Sequence, residues 1–188
     1  MIVNDLPPGA RCVPNFADEA LGAWLLARID AADWLGDLKR RVQHYGWRYD
    51  YSARRVTAEM RLGPLPDWLA GVVDGIAAQP ELDRRPDQVI VNEYLPGQGI
   101  SPHVDCEPCF GPAIASLSLG GPAEMVFRNR STGEQATLFL EPLSLLILSG
   151  SARYDWTHEI PARKSDLIAG ARQPRSRRVS LTFRTVLL

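Results

Sequence analysis

After Pro86 the chain is cut by glycine and proline into short apolar segments, and this punctuation limits the fold more than any other feature. Residues 89–94, 113–119, 124–128, 135–140, 144–148 and 178–186 each read as a strand, because none is long enough for an ordinary helix and turn residues separate them. Many short strands at this spacing point to a sandwich or a closed barrel. The earlier part of the chain has a helical texture. Leu21, Trp24, Leu25 and Ile29 recur at helical spacing behind Asp18 and Glu19, acids that suit a helix N-terminus. A second helical stretch is expected over 34–42, ended by Gly46. Pro66-Asp67-Trp68 opens a third that runs to about residue 78, with Leu69, Val72, Val73 and Ile76 as its apolar stripe. Residues 1–16 are proline-rich and irregular, 47–51 alternate in a strand-like, aromatic-rich way, and 52–66 read as loops. With 188 residues, no internal repeat and no linker, the expectation is one α+β domain over 1–188. Its helical layer covers 1–86 and its β-core 87–188.

Charge narrows the function classes only a little. Twenty-one basic residues against 22 acidic ones give a net charge of −1, which carries no global sign of nucleic-acid binding but leaves room for a local basic patch. No apolar run approaches a membrane span, and the N-terminus has no basic-then-apolar signal pattern, so a cytoplasmic protein with no membrane partner is expected. The cysteines are Cys12, Cys106 and Cys109, an odd count that argues against a disulfide framework. Cys106 and Cys109 form a C-x-x-C pair. No second such pair completes a zinc site, and buried or idle thiols are the favoured reading.

Three constellations could carry chemistry. His103 and Asp105 are two residues apart, so on a strand both side chains leave one face. His158 could complete two histidines and a carboxylate, a set whose open positions suit non-haem Fe(II). Alternatively each residue satisfies an ordinary hydrogen bond. Arg178 and Arg184 also share a face, with Ser180 and Thr182 between them, and two guanidinium forks on one face suit a small dicarboxylate. The competing reading is a solvated edge strand. Trp47, Tyr49 and Tyr51, followed by Arg54 and Arg55, would suit single-stranded nucleic acid or a flipped base. They would equally suit alternate aromatics packed on a core, and packing is favoured.

Together these pieces resemble the AlkB family of Fe(II)- and 2-oxoglutarate-dependent dioxygenases, over a span from about Arg40 to Arg184. The segments that carry the likeness are Asn92-Glu93-Tyr94 through His103-Val104-Asp105, Ser116-Leu117-Ser118-Leu119-Gly120, the block from Ser151 to His158, and the strand from Arg178 to Arg184. The resemblance implies a double-stranded β-helix (jelly roll) core with supporting N-terminal helices and a lid within residues 1–86. It implies that His103, Asp105 and His158 bind Fe(II) and are the catalytic set, and that Asn92, Tyr94, Arg178, Ser180 and Arg184 hold 2-oxoglutarate, with dioxygen as the second co-substrate. Arg178 and Tyr94 would take the distal carboxylate, while Arg184 and Asn92 would lie near the carboxylate beside the keto group. Many members of the family have asparagine where this chain has Ser180.

The substrate is less tightly implied. Pro96-Gly97-Gln98-Gly99-Ile100 and Tyr154-Asp155-Trp156-Thr157-His158 resemble the branch that hydroxylates a modified wobble uridine in tRNA. Two features depart from that branch: no cysteines follow the Arg184 strand, and Glu107 stands where the branch has a histidine. In members that repair alkylated bases an acid at this place accepts a hydrogen bond from the base's exocyclic amine. This tilts the expectation towards demethylation of alkylated bases in single-stranded DNA or RNA by a monomer, with tRNA hydroxylation or a protein-directed oxygenase as alternatives. Under that expectation Trp47, Tyr49, Tyr51, Arg54, Arg55 and Glu107 contact substrate, and Arg163, Lys164, Arg172, Arg175 and Arg177 form a basic patch facing phosphates. A non-catalytic jelly-roll binding module is the remaining rival, and such a module would have no need for the two arginines.

Overall fold

The computed structural model describes residues 5–36 and 38–188. Its strands, in chain order, are β1 (Ala10–Val13), β2 (Val42–Tyr45), β3 (Gln88–Tyr94), β4 (Ile100–His103), β5 (Ile114–Gly120) and β6 (Ala123–Asn129). They continue as β7 (Gln135–Leu140), β8 (Leu145–Leu148), β9 (Trp156–Ile160), β10 (Ser165–Ile168), β11 (Ala171–Pro174) and β12 (Arg178–Arg184). The helices are α1 (Glu19–Asp30), α2 (Ala70–Ala77) and the short α3 (Gly150–Tyr154). A six-stranded antiparallel sheet, ordered β1-β8-β5-β12-β3-β2, faces a four-stranded one, ordered β4-β9-β6-β7. The hairpin β10-β11 stands apart from both. This is an α+β double-stranded β-helix.

Strict alternation along the central strands of the large sheet divides the protein into two layers. Val89 and Val91 of β3, Leu117 and Leu119 of β5, and Val179, Leu181 and Phe183 of β12 all pack in one cluster with Leu25 and Ile29 of α1 and Val73 and Ile76 of α2. The intervening residues of the same strands, among them Asn92, Ser116, Arg178 and Ser180, line a cavity on the other side. A one-residue slip in β12 would turn its arginines into the helix layer. Register is therefore fixed by the apolar face, and the polar face is held in place with it.

Both predicted outer helices form. Asp18 caps α1, its carboxylate accepting from Leu21 N at 2.7 Å, and α2 begins as a 3-10 turn at Asp67–Leu69 behind Pro66. Trp24 departs from the predicted stripe: it is 42% exposed, with Arg28 stacked over its ring. The helix expected over 34–42 is absent among the described residues, Asp37 lying outside them. Leu35 and Val42 instead exchange backbone hydrogen bonds at 2.8 and 3.0 Å, and Val42 enters β2 opposite Asn92. Cross-strand pairing wins here over local propensity, helped by the Arg41 fork that grips buried Glu93 at 2.6 and 2.8 Å.

The irregular N-terminal segment contains β1, and its first four residues lie outside the described ones. Residues 47–51 make single bridges at Trp47 and Asp50 rather than a strand. Trp47 and Tyr49 pack instead against the cluster of Cys106, Cys109 and Phe110, as the packing reading expected. No helix among the described residues is long and apolar enough to cross a membrane.

Candidate active site

Between the two sheets lies a cavity of about 500 Å³ that reaches from the end of β4 to the inward face of β12. His103 closes β4, and antiparallel pairing sets it directly opposite His158 in β9, so the two ring centroids are 4.3 Å apart. Asp105 follows just beyond the strand. One ligand atom from each of the three residues falls within 4.8 Å of the others, so His103, Asp105 and His158 form a compact candidate metal set. His103 Nδ1 is 2.8 Å from the Ser101 carbonyl oxygen; protonated there, it donates to that oxygen and leaves Nε2 for a ligand.

Electrostatics hold Asp105 and His158 in the protonation states that metal binding needs. Burial alone would raise the Asp105 carboxyl, but Arg184, His158, His103 and Arg153 outweigh it and keep it well below the usual carboxylate range. Arg184 Nη2 donates to Asp105 Oδ1 at 2.6 Å. Burial, reinforced by His103, pushes His158 down to about 3. Asp105 is therefore a carboxylate and His158 a neutral imidazole, the forms in which these two bind a cation.

The inward row of β12 presents the second half of the site. Its Arg178, Ser180, Thr182 and Arg184 all line the cavity, and β12 lies in the middle of its sheet, so the edge-strand reading does not hold. Arg178 is 2% exposed and its guanidinium lies over the Tyr94 ring. Its Nη2 donates to Ser118 Oγ at 2.9 Å, while Nε and Nη1 have no partner. Burial lowers Arg178 to about 10, which still leaves it charged at neutral pH. Arg184 also keeps Nε and Nη1 unpaired. Buried cations with unmet donors call for an anion. Two of them on one strand face, beside the metal set, fit a dicarboxylate that reaches the metal at one end. Asn92 lies in register with Ser180, and its Oδ1 accepts from Arg40 Nε at 2.9 Å, which leaves the amide NH2 for a ligand.

The expected substrate residues divide. Tyr49, Tyr51 and Arg54 line the cavity, and Arg54 also donates to the Val104 carbonyl at 3.0 Å. Trp47 does not line it; its indole N–H donates to Asp87. Arg55 is exposed on the surface, 3.9 Å from Asp50. Glu107 is also turned away: it is exposed, absent from the cavity wall, and pairs with Arg130 at 3.2 Å. The C-terminal basic patch is largely neutralised within the fold. Arg163 and Arg175 grip buried Asp166, Arg163 also reaches Glu124, and Arg177 pairs with Asp30 and Glu93. Cys106 and Cys109, expected as thiols, form a disulfide beside the Arg54 carbonyl.

Among the residues that escaped the sequence reading are Leu38 and Arg40, which line the cavity, and Arg153, which is buried behind Asp105. In Arg40-Arg41 the signal was alternation, one arginine facing the cavity and the next facing Glu93. The expected helix over 34–42 hid it.

Comparison with known proteins agrees with this geometry. The model of the 2OG-Fe(II) oxygenase superfamily matches residues 9–184. The chain is similar to the Alkylated DNA repair protein ALKBH8 homolog of Arabidopsis thaliana, with 41% identity over 202 residues that cover 95% of this chain and 58% of that protein. It is 35% identical over 202 residues to the tRNA (carboxymethyluridine(34)-5-O)-methyltransferase alkbh8 of Xenopus tropicalis, covering 96% of this chain and 32% of that protein. The chain thus spans about half or less of these two relatives. Among solved structures, that of OsALKBH1 superposes with a TM-score of 0.70 at 20% identity, covering 97% of this chain and all of that one, a likeness of fold.

Proposed function

The chain belongs to the 2OG-Fe(II) oxygenase superfamily as an AlkB-like dioxygenase, and on that footing we propose that it hydroxylates a modified uridine in RNA, with the tRNA wobble position as the leading candidate. The observation that carries this choice is the position of Glu107. Repair of 1-methyladenine or 3-methylcytosine requires an acceptor for an exocyclic amine on a cationic base, and Glu107 faces away from the cavity, paired with Arg130. Among the described residues that line the cavity, Asp105 is the only carboxylate, and it belongs to the metal set. Near the mouth the guanidinium groups are donors, the phenols both donate and accept, and Asp50 lines an adjoining cavity that shares Leu38, Tyr49 and Tyr51. Burial raises Tyr49 and pushes Tyr51 up to about 12, so both stay phenols, and Arg40 and Arg54 add guanidinium donors. The two guanidinium groups beside the phenols suit the two carbonyl oxygens of a neutral uracil ring and disfavour a cationic base. The name of the Xenopus relative, which concerns carboxymethyluridine at position 34, supports the same substrate class.

In this reading His103, Asp105 and His158 hold Fe(II). Arg178 and Tyr94 take the distal carboxylate of 2-oxoglutarate, with Arg184, Asn92 and Ser180 at the carboxylate beside the keto group. When bound, the iron supplies the oxidising power, consuming dioxygen and 2-oxoglutarate and releasing succinate and carbon dioxide. The protein binds and orients. Arg184 neutralises Asp105 and fixes its Oδ1, which leaves Oδ2 for the metal. Ser118 and the Tyr94 ring hold Arg178 in one pose before its ligand arrives. Tyr49, Tyr51 and Arg54 stand over the cavity and orient the base while shielding it from water. Oxygenation of a carbon not attached to nitrogen leaves a stable alcohol. Oxygenation of an N-methyl carbon gives a hemiaminal that sheds formaldehyde.

The second reading, oxidative demethylation, draws on the Arabidopsis relative's name. One experiment separates the two: the protein, Fe(II), ascorbate and 2-oxoglutarate are incubated with bulk tRNA and with methylated oligonucleotides, and the nucleosides are then weighed. A uridine derivative that gains one oxygen, dependent on 2-oxoglutarate and absent with His103→Ala, is the expected result. Methyl loss from 1-methyladenine or 3-methylcytosine, with tRNA untouched, would reverse the assignment. Succinate formation with neither change would redirect the search to protein substrates.

A further inference from the structure

Of the three candidate metal ligands, two are held by regular structure and one is not. His103 and His158 form a cross-strand pair in the β4-β9 ladder. Asp105 lies beyond the end of β4, in residues 104–106, which belong to no strand or helix. The backbone there is held at Val104 by Arg54 and at Cys106 by the bond to Cys109, and at Asp105 and Cys106 from behind by Arg153. Arg153 is 2% exposed. Its Nη1 donates to the Asp105 carbonyl at 2.9 Å and its Nη2 to the Cys106 carbonyl at 3.2 Å, while Nε points to the Gly111 carbonyl at 3.5 Å. The guanidinium also stacks over the Tyr154 ring.

We propose that Arg153 is the positioning residue of the metal site, clamping the Asp105 segment to the helix that leads into His158. Arg153 sits on α3, which runs through Asp155 directly into β9, and its two Nη bonds reach back 48 and 47 residues along the chain. One side chain therefore fixes the spacing between the carboxylate and the second imidazole. These three hydrogen bonds all go to neutral carbonyls, so they orient the backbone instead of neutralising an acid. A desolvated cation bonded to carbonyls is a costly way to fill space, and a methionine would fill it more cheaply. What methionine lacks is the planar fork, whose rigid geometry can hold several oxygens at once.

The test is Co(II) uptake, which reads ligand geometry without turnover and needs no RNA. It rests on the reading of His103, Asp105 and His158 as the metal set. A wild-type protein that takes up no Co(II) would overturn that reading, an outcome distinct from uptake that the variants leave unchanged. Arg153→Met is expected to lower Co(II) affinity roughly tenfold to hundredfold, the range for losing a group that orients a ligand, and to change the visible absorption of the bound ion. Arg153→Lys keeps the charge but offers a single point in place of a fork, and should fall between the two. Leu25→Ala, a core truncation in the helix layer, serves as the control: it should destabilise the protein and leave Co(II) affinity and spectrum unchanged. If Arg153→Met fails to fold, the lysine variant decides. Wild-type affinity and spectrum in Arg153→Lys would overturn the clamp, as would an equal loss of affinity in Leu25→Ala.

Discussion

Replacing Arg178 by methionine should weaken co-substrate binding and spare the free protein. In the ligand-free state this guanidinium is buried with Nε and Nη1 unpaired. Its pKa is lowered by burial to about 10, and at ~1.4 kcal/mol per pKa unit that depression amounts to ~3 kcal/mol of unrelieved cost. Methionine removes the cost, and with it the stacking on Tyr94 and the bond to Ser118 Oγ. Those two losses are worth about 1 kcal/mol each, so the variant's unfolding free energy should be unchanged or raised by about 1 kcal/mol. Binding behaves oppositely. Two donors to a carboxylate contribute about 1.5–3 kcal/mol apiece, so the Kd for 2-oxoglutarate should rise roughly 10²- to 10⁴-fold. Titration calorimetry on Mn(II)-loaded protein measures this directly, with 2-oxobutyrate run in parallel. That acid lacks the distal carboxylate, and its affinity should be the same in both proteins. If both acids lost affinity equally, or the free variant were destabilised by several kcal/mol, Arg178 would not be the distal-carboxylate site.

Other expectations follow from the same geometry. Below its ordinary pKa of 6.5 the His158 imidazole protonates in the unfolded chain but stays neutral in the folded one down to about 3, so it makes stability fall as pH falls through that window. Between pH 7 and pH 5 in urea, the metal-free wild type should lose ~2 kcal/mol more than His158→Gln; equal losses would mean the imidazole is not held neutral by burial. Glu107→Ala should leave turnover on RNA within about twofold, since its partner Arg130 is as exposed as it is; a large loss would return the residue to the site. Arg54→Glu should raise KM for RNA well above any change caused by Arg55→Glu, because only Arg54 lines the cavity. Arg163→Met should cost about 2 kcal/mol of stability by leaving buried Asp166 one partner short, with RNA affinity unchanged; a fall in affinity would restore the phosphate-patch reading.

The sequence made some features legible and hid others, and the division has a physical basis. Period-two alternation in 89–94 and 178–184 is strong because both faces of those strands are buried, so the inward row of Arg178, Ser180, Thr182 and Arg184 could be read in advance. The pairing of His103 with His158 was legible only as chemistry: antiparallel register sets it across a long stretch of sequence. The stretch around Arg40 was misread because Leu35 and Val42 pair across a turn, where apolar spacing looks helical. Glu107 was expected at the cavity but faces Arg130, because its distance along the chain from Asp105 fixes no direction once the strand has ended. Arg163 and Arg177 looked like part of a surface patch because Glu124, Glu93 and Asp30 are far away in sequence, while the buried Asp166 that Arg163 and Arg175 share was a nearby signal that went unread.

The most direct test of the central claim follows the oxygen atoms. The protein is supplied with isotopically heavy dioxygen, 2-oxoglutarate, Fe(II) and tRNA that carries modified wobble uridines, and both products are analysed by mass spectrometry. The account predicts one heavy atom in succinate and one in a new hydroxyl on the uridine derivative, in equal amounts, with neither formed by His103→Ala. Heavy succinate accompanied by formaldehyde from a methylated base, or by unlabelled RNA, would contradict it.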